Sequence, residues 1–293
     1  MTSLPFAVPQ ELFDVEHRFL DLAGTRLHYV DEGRGEILLL LHGNPSWSFV
    51  YRKIIAGLRG AYRCVALDYP GYGMSRAAQG YGFTPREHSL IVEQFVDRLG
   101  LRDLTLMGQD WGGPIGLGFA GRRPELVKRL VLGNTFAWPL SDQRRMRVFS
   151  AVMGGFLGRS GTWAFNLVPR FFIGRGMASA LPPPVRAAYL APWRARRDRR
   201  PAVIAPEQLI GASEFLREVE AGLAGLADRP LLLVWGSRDF AFGSRERARF
   251  EQLFPDHRTI LFERASHFVQ EDAGGEIADA MRRWLAPKVA GEP

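Results

Sequence analysis

Gly108-Gln109-Asp110-Trp111-Gly112-Gly113, preceded by the apolar run Leu104-Thr105-Leu106-Met107, reads as a strand, a sharp turn and the start of a helix. Gly108 and Gly112 bracket Asp110, so backbone can crowd around the turn without meeting a Cβ. A carboxylate at such an apex is a weak nucleophile. It can displace a leaving group from an sp³ carbon and is left as an ester. Taken alone, Asp110 also fits the N-cap of an ordinary helix.

Outward from this turn, short apolar runs alternate with helical patterns. Segments 18–22 and 26–30 predict paired strands across Ala23-Gly24-Thr25. Ile37–Leu41 is continuously apolar, as in a strand buried on both faces. Segment 47–58 reads as helical, and 65–67 as a strand leading into the turn-rich Asp68-Tyr69-Pro70-Gly71-Tyr72-Gly73. Thr84 is placed to cap a helix opened by Pro85 and stopped by Gly100. Segment 130–132 predicts the next strand. Such alternation predicts an α/β fold with a mostly parallel central sheet flanked by helices.

From 137 to 212 the pattern changes. This stretch is rich in Arg, Phe, Trp, Gly and Pro, with Pro182-Pro183-Pro184 inside it and no convincing strand. It predicts a helical cap inserted between sheet strands. After 213 the α/β pattern returns, with strands at 231–235 and 259–262 and helices at 244–253 and 276–285. The expected organisation is a core over 1–136, a cap over 137–212 and the rest of the core over 213–293.

A 46% hydrophobic content over 293 residues is that of a globular protein. No apolar run approaches the roughly 18 residues of a membrane span, so no membrane partner is expected. The start, Met1-Thr2-Ser3-Leu4-Pro5-Phe6, lacks a charged stretch followed by an apolar one, and no signal peptide is expected. Cys64, the single cysteine, has no partner for an internal disulfide, which fits a buried thiol in a reducing cytoplasm. Lysine occurs only at Lys53, Lys128 and Lys288; arginine supplies every other basic side chain behind the +7 net charge. The densest cluster, Arg194, Arg196, Arg197, Arg199 and Arg200, is expected to be a solvated surface turn. It lacks the interleaved aromatics of a nucleic-acid patch.

An ester on Asp110 needs a base for its hydrolysis. His267, in Ser266-His267-Phe268-Val269-Gln270, follows the 259–262 strand and suits that role. Asp239, in Trp235-Gly236-Ser237-Arg238-Asp239, follows the preceding strand and can orient the imidazole. Each residue alone also fits a bland reading, a core histidine or a turn aspartate. Leu41-His42-Gly43-Asn44-Pro45 ends the buried strand, where a backbone N–H can reach the apex of the turn. The Asn44 amide and the Trp111 indole are neutral donors suited to a departing anion. Trp111 equally fits a core aromatic, and Asn44 a turn residue before proline.

The Gly-x-Asp-x-Gly turn has the form of a nucleophile elbow with aspartate in the serine position. The set H-G-N-P at 42–45, G-Y-G-M-S at 71–75, G-Q-D-W-G-G at 108–113, W-G-S-R-D at 235–239 and S-H-F-V-Q-E at 266–271 resembles the haloalkane dehalogenase family of α/β-hydrolases. The likeness spans nearly the whole chain, including Tyr189-Leu190-Ala191-Pro192-Trp193. It implies an α/β-hydrolase fold, with Asp110 as nucleophile, His267 as base and Asp239 as acid, and with Asn44 and Trp111 binding the halide. Some members carry a glutamate acid after the strand that ends near Leu132. This chain has Asn134-Thr135 there, and Asn44 with Asp239 resembles the third subfamily.

The resemblance implies a halogenated small-molecule substrate, release of a halide ion, and no metal or organic cofactor; it leaves a homo-oligomer open. An epoxide hydrolase and a non-catalytic ligand-binding protein are the alternatives. The first would need tyrosine donors in the cap, which holds only Tyr189. Phe149, Phe156, Trp163, Phe165, Phe171 and Phe172 are candidate pocket walls, or else packing of the cap on the core.

Overall fold

The computed structural model describes residues 4–286; Lys288 and the first three residues of the stretch read for a leader lie outside them. Strands β1 (His17–Leu22), β2 (Thr25–Glu32), β3 (Ile37–Leu41), β4 (Arg63–Leu67), β5 (Leu104–Asp110), β6 (Val127–Thr135), β7 (Leu231–Gly236) and β8 (His257–Phe262) form one sheet. Its order is β1-β2-β4-β3-β5-β6-β7-β8. Only β2 runs against its neighbours; every other pairing is parallel.

Helices α1 (Arg52–Leu58), α2 (Pro85–Arg98) and α3 (Gly112–Arg122) belong to the first half. Between β6 and β7 come α4 (Arg144–Gly154), α5 (Phe156–Phe165), α6 (Leu167–Arg175), α7 (Pro183–Leu190), α8 (Arg200–Gly211) and α9 (Ser213–Gly222). The chain closes with α10 (Ser244–Leu253), α11 (Val269–Asp272) and α12 (Gly274–Leu285). No helix among the described residues is long and apolar enough to cross a membrane.

Alternation along the central strands builds two cores, one on each face of the sheet. Leu39 and Leu41 pack with Val65, Leu106 and Leu132. Leu38 and Leu40 pack on the other side with Cys64, Ala66, Met107 and Val131. Burial pushes the Cys64 thiol up to about 12. The α2 start is a capping box: Thr84 Oγ1 accepts the Glu87 N–H and Glu87 accepts the Thr84 N–H. Gly100 ends that segment at φ +63°.

Three details differ from the sequence reading. Segment 47–58 opens as a 3₁₀ turn over Ser48–Tyr51 before α1 begins. Strand β5 runs past its apolar stretch to Asp110 because Gln109 and Asp110 still pair with β6, at Gly133 and Thr135. The short α11 is a single turn of four residues, too brief to leave a periodic pattern in the sequence. It carries Glu271, which accepts from both arms of Arg52 (2.6 and 2.8 Å) and from the Tyr189 hydroxyl (2.6 Å), clamping α7 to α1.

The arginine cluster is a solvated turn only in part. Arg194, Arg196, Arg197 and Arg200 are exposed. Arg199 instead donates to the carbonyls of Trp163, Ala164, Trp193 and Arg194, knitting the end of α5 to the stretch before α8.

Candidate active site

The order of the sheet places the site. β3 has β4 on one side and β5 on the other: the crossover from β3 to β4 runs one way along the sheet and that from β4 to β5 returns past β3 the other way, which opens a crevice at the strands' carboxyl ends. Leu41 pairs with Gly108, which sets the His42–Gly43–Asn44 loop against the tip of β5. Asp110 sits there with φ +52°, a left-handed conformation that a non-glycine residue keeps only where its surroundings enforce it. Those surroundings are tight. A Cβ on Gly112 would lie 1.9 Å from the Leu41 carbonyl oxygen. The Thr135 hydroxyl donates to the Asp110 carbonyl at 2.6 Å.

Asp110 is not a helix cap. Trp111 occupies the N-cap position of α3, with no side-chain capping bond. The Asp110 carboxylate instead accepts the backbone N–H of Asn44 on Oδ1 at 2.7 Å. Its Oδ2 stands 3.6 Å from Nε2 of His267. The other imidazole nitrogen, Nδ1, is 3.1 Å from Oδ2 of Asp239. His267 and Asp239 come from the loops after β8 and β7, so three separate chain segments converge on one point. His267 is almost wholly buried. Burial disfavours its protonation, but the charges of Asp239 and Asp110 outweigh that, and the imidazole is pushed up to about 10.

Several supporting residues were not singled out in the sequence. The Gln109 side chain donates to the His267 carbonyl at 2.9 Å. The Tyr72 hydroxyl donates to Asn44 Oδ1 at 3.3 Å, which engages the acceptor end of that amide and leaves its NH₂ for a ligand. Asn134, noted only as the residue replacing a glutamate, donates to Asp239 Oδ2 and to the Gly236 carbonyl, both at 3.0 Å. Tyr72 lies inside G-Y-G-M-S and Gln109 beside Asp110, so each carries a local signal, but their partners are set only by folding.

A cavity of roughly 120 Å³ opens over these groups, lined by Asn44, Asp110, Trp111 and His267 and walled by Met146, Phe149, Phe172, Leu209, Phe240 and Phe242. Its wall is overwhelmingly apolar. Dry cavities of about this size, ~150 Å³, take a guest the size of benzene. Of the candidate wall residues, Phe149 and Phe172 line it. Phe156, Trp163, Phe165 and Phe171 do not: they are exposed on the outer surface of the cap. Helices α5 and α6 turn those rings away from the core. Among the described residues, no group of three His, Cys, Asp or Glu side chains is arranged to hold a metal ion.

Residues 36–274 match the family described as alpha/beta hydrolase fold. The chain is 40% identical over 286 residues to "Haloalkane dehalogenase 2" of Mycobacterium tuberculosis (strain ATCC 25618 / H37Rv), covering 95% of this chain and 98% of that protein. It is 33% identical over 282 residues to a "Cis-3-alkyl-4-alkyloxetan-2-one decarboxylase" of Xanthomonas campestris pv. campestris, covering 89% and 93%. The solved structure of haloalkane dehalogenase DbeA from Bradyrhizobium elkani USDA94 superposes with a TM-score of 0.84 at 25% identity, covering 93% of this chain and 98% of that one.

Proposed function

Because the chain belongs to the haloalkane dehalogenase family of the α/β-hydrolase fold, we propose that it hydrolyses carbon–halogen bonds of small haloalkanes through an ester on Asp110. The observation that carries this reading is the Asp110 carboxylate itself. It lines an apolar cavity with one oxygen held by the Asn44 N–H and the other beside His267.

In the first step Asp110 Oδ2 attacks the carbon bearing the halogen. The carbon–halogen bond breaks and its electron pair leaves with the halide. The side-chain NH₂ of Asn44 and the indole N–H of Trp111 stabilise that anion. Neither donates to a protein acceptor among the described residues, and neither is a cation that would pair permanently with Asp110. Esterification cancels the Asp110 charge. That removes one of the two carboxylates raising the imidazole's proton affinity, and His267 becomes free to act as a base. It takes a proton from water while the hydroxide attacks the ester carbonyl carbon. The Asn44 N–H stabilises the resulting oxyanion, and Asp239 steadies the imidazolium. The oxyanion collapses, the Cγ–Oδ2 bond breaks, the departing alkoxide takes a proton from the imidazolium, and the water oxygen remains in the restored carboxylate. Alcohol, halide and a proton leave.

In this reading 137–212 form the cap over the site, flanked by core at 1–136 and 213–293. The partners are a halogenated small molecule and the halide it releases. The lone Cys64 supports a cytoplasmic location. Epoxide opening is disfavoured because Tyr189, the cap's one tyrosine, donates to Glu271 and is absent from the cavity wall. The Xanthomonas relative favours a second reading, decarboxylation of a β-lactone, whose ring carbon also carries an anionic leaving group.

The test is the His267→Gln variant incubated with 1,2-dibromoethane. Mass spectrometry should find a bromoethyl group on the peptide containing Asp110; an unmodified peptide overturns the mechanism. Bromide release from 1-bromobutane, set against alkene release from a cis-dialkyl-oxetan-2-one, separates the two substrates.

A further inference from the structure

The outer face of the cap is built unlike the rest of the surface. Phe156 is 83% exposed, Leu157 81% and Phe165 74%, all on α5. Val148 and Val152 stand one turn apart on α4, and Leu167 and Phe171 are exposed on α6. Soluble surfaces rarely leave so many large apolar groups together on neighbouring helices.

The charge around them is one-sided. Residues 137–212 hold twelve arginines and no lysine against Asp142, Asp198 and Glu207, a net +9 in a chain whose total is +7. Two of these arginines lie over exposed aromatics: Arg196 is 4.9 Å from the Trp163 ring centre and Arg175 5.8 Å from that of Phe171. Beside Phe165 a groove of about 450 Å³ is lined by Arg170, Arg194 and Arg199. None of the three has an acidic partner among the described residues. Trp193 lines the same groove, is fully buried, and its indole N–H has no hydrogen-bond partner. Arg199 is already bonded to carbonyls, so Arg170 and Arg194 are the two guanidinium groups at this opening, next to an apolar ridge, with no anion beside them.

We infer that this face of the cap docks on an anionic lipid surface, with Phe156, Leu157 and Phe165 entering the acyl boundary and Arg170 and Arg194 at the groove receiving a lipid phosphate. Aromatic and aliphatic residues beside arginines on neighbouring helices of one surface suit the headgroup boundary, where guanidinium groups reach phosphates while the rings lie deeper. Negative leaflets attract such basic segments. A second copy of the chain fits less well, since pairing this face with itself would oppose two surfaces of like charge. The absence of a membrane-spanning helix is no obstacle, because the contact is a surface one.

The experiment is co-sedimentation of the full chain with phosphatidylcholine vesicles, with and without phosphatidylglycerol. Binding should be about 10-fold stronger to the anionic vesicles at ~0.1 M salt and should fall steeply near 0.5 M. The triple variant Phe156→Ser, Leu157→Ser, Phe165→Ser should lose binding, as should Arg170→Glu with Arg194→Glu. Both should keep wild-type melting and turnover, because none of these side chains lines the cavity. Equal binding to both vesicle types, or to neither, overturns the proposal. So does sedimentation-velocity evidence of self-association that the triple serine variant abolishes while wild type ignores vesicles; a second copy would then be what covers this face.

Discussion

Nε2 of His267 lies 3.6 Å from Oδ2 of Asp110, and the far side of the same ring meets Asp239 at 3.1 Å, so one imidazole is flanked by two carboxylates. Each proton His267 holds therefore depends on the charge state of Asp110.

Replacing Asp110 with Asn removes one carboxylate, and the His267 titration, followed by NMR, should move down from about 10. The sign for stability follows. The folded value lies above the ordinary 6.5, so this stabilisation is complete below about 6.5 and is lost as pH rises through about 10. Wild type should lose more thermal stability over that window than Asp110→Asn. Identical melting profiles would show that the two side chains are not coupled.

Asn134 does for Asp239 what Tyr72 does for Asn44: it fixes one end of a functional side chain. It also accepts the Gly236 N–H at 2.8 Å. Asn134→Ala leaves that N–H and the Gly236 carbonyl buried without these partners, at a cost of about 1–3 kcal/mol. Turnover should drop by roughly 10-fold as Asp239 loses a donor, with KM little changed. Urea melts and steady-state kinetics measure the two effects; unaltered kcat would reduce Asn134 to a purely structural role.

Gly43 approaches Asp110 so closely that a Cβ there would sit 2.4 Å from the carboxylate's own Cβ. Gly43→Ala must displace Asp110, the proposed attacking group. A misplacement near 1 Å is worth roughly 100-fold in rate. Bromide release should fall by about that factor while circular dichroism stays native.

Trp111→Phe keeps a ring in place and deletes the indole donor. If that donor stabilises the departing halide, kcat for a bromoalkane should fall by about 10² or more. A variant that turns over at the wild-type rate would remove Trp111 from the halide site.

Glu271 is 6% exposed and holds Arg52, itself only 10% exposed, together with the Tyr189 hydroxyl. Glu271→Ala strands a buried guanidinium, and such a loss costs about 3–5 kcal/mol. Denaturant unfolding should show a deficit of that size; a loss below about 1 kcal/mol would mean the clamp is solvated in solution.

Local pattern was enough for most of the fold and for locating the side chains that meet at the candidate site. Ile37–Leu41 is apolar without interruption because both faces of β3 are covered, and that is visible in five letters. Thr84, Pro85 and Gly100 punctuate α2 through backbone preferences that act within a few residues. Asp110, Asp239 and His267 each stand just past or at the end of a strand, and a parallel sheet brings all such ends to one edge, so their meeting follows from chain order. The match of motifs to a known family supplied their names.

What only tertiary structure decided depends on contacts between segments far apart in the chain. Asp110 could have capped α3; the close approach of the His42–Asn44 loop makes it a free carboxylate held by the Asn44 N–H instead. The pairing of Asn134 with Asp239 joins residues 105 apart in the chain. Phe149 and Phe172 wall the cavity while Phe156 and Phe165 face solvent, although all four are phenylalanines in one helical insertion. Composition tells that a ring will seek cover, but the direction it points is set by how its helix is rotated against the sheet. That rotation is fixed by packing, which no local stretch of sequence contains.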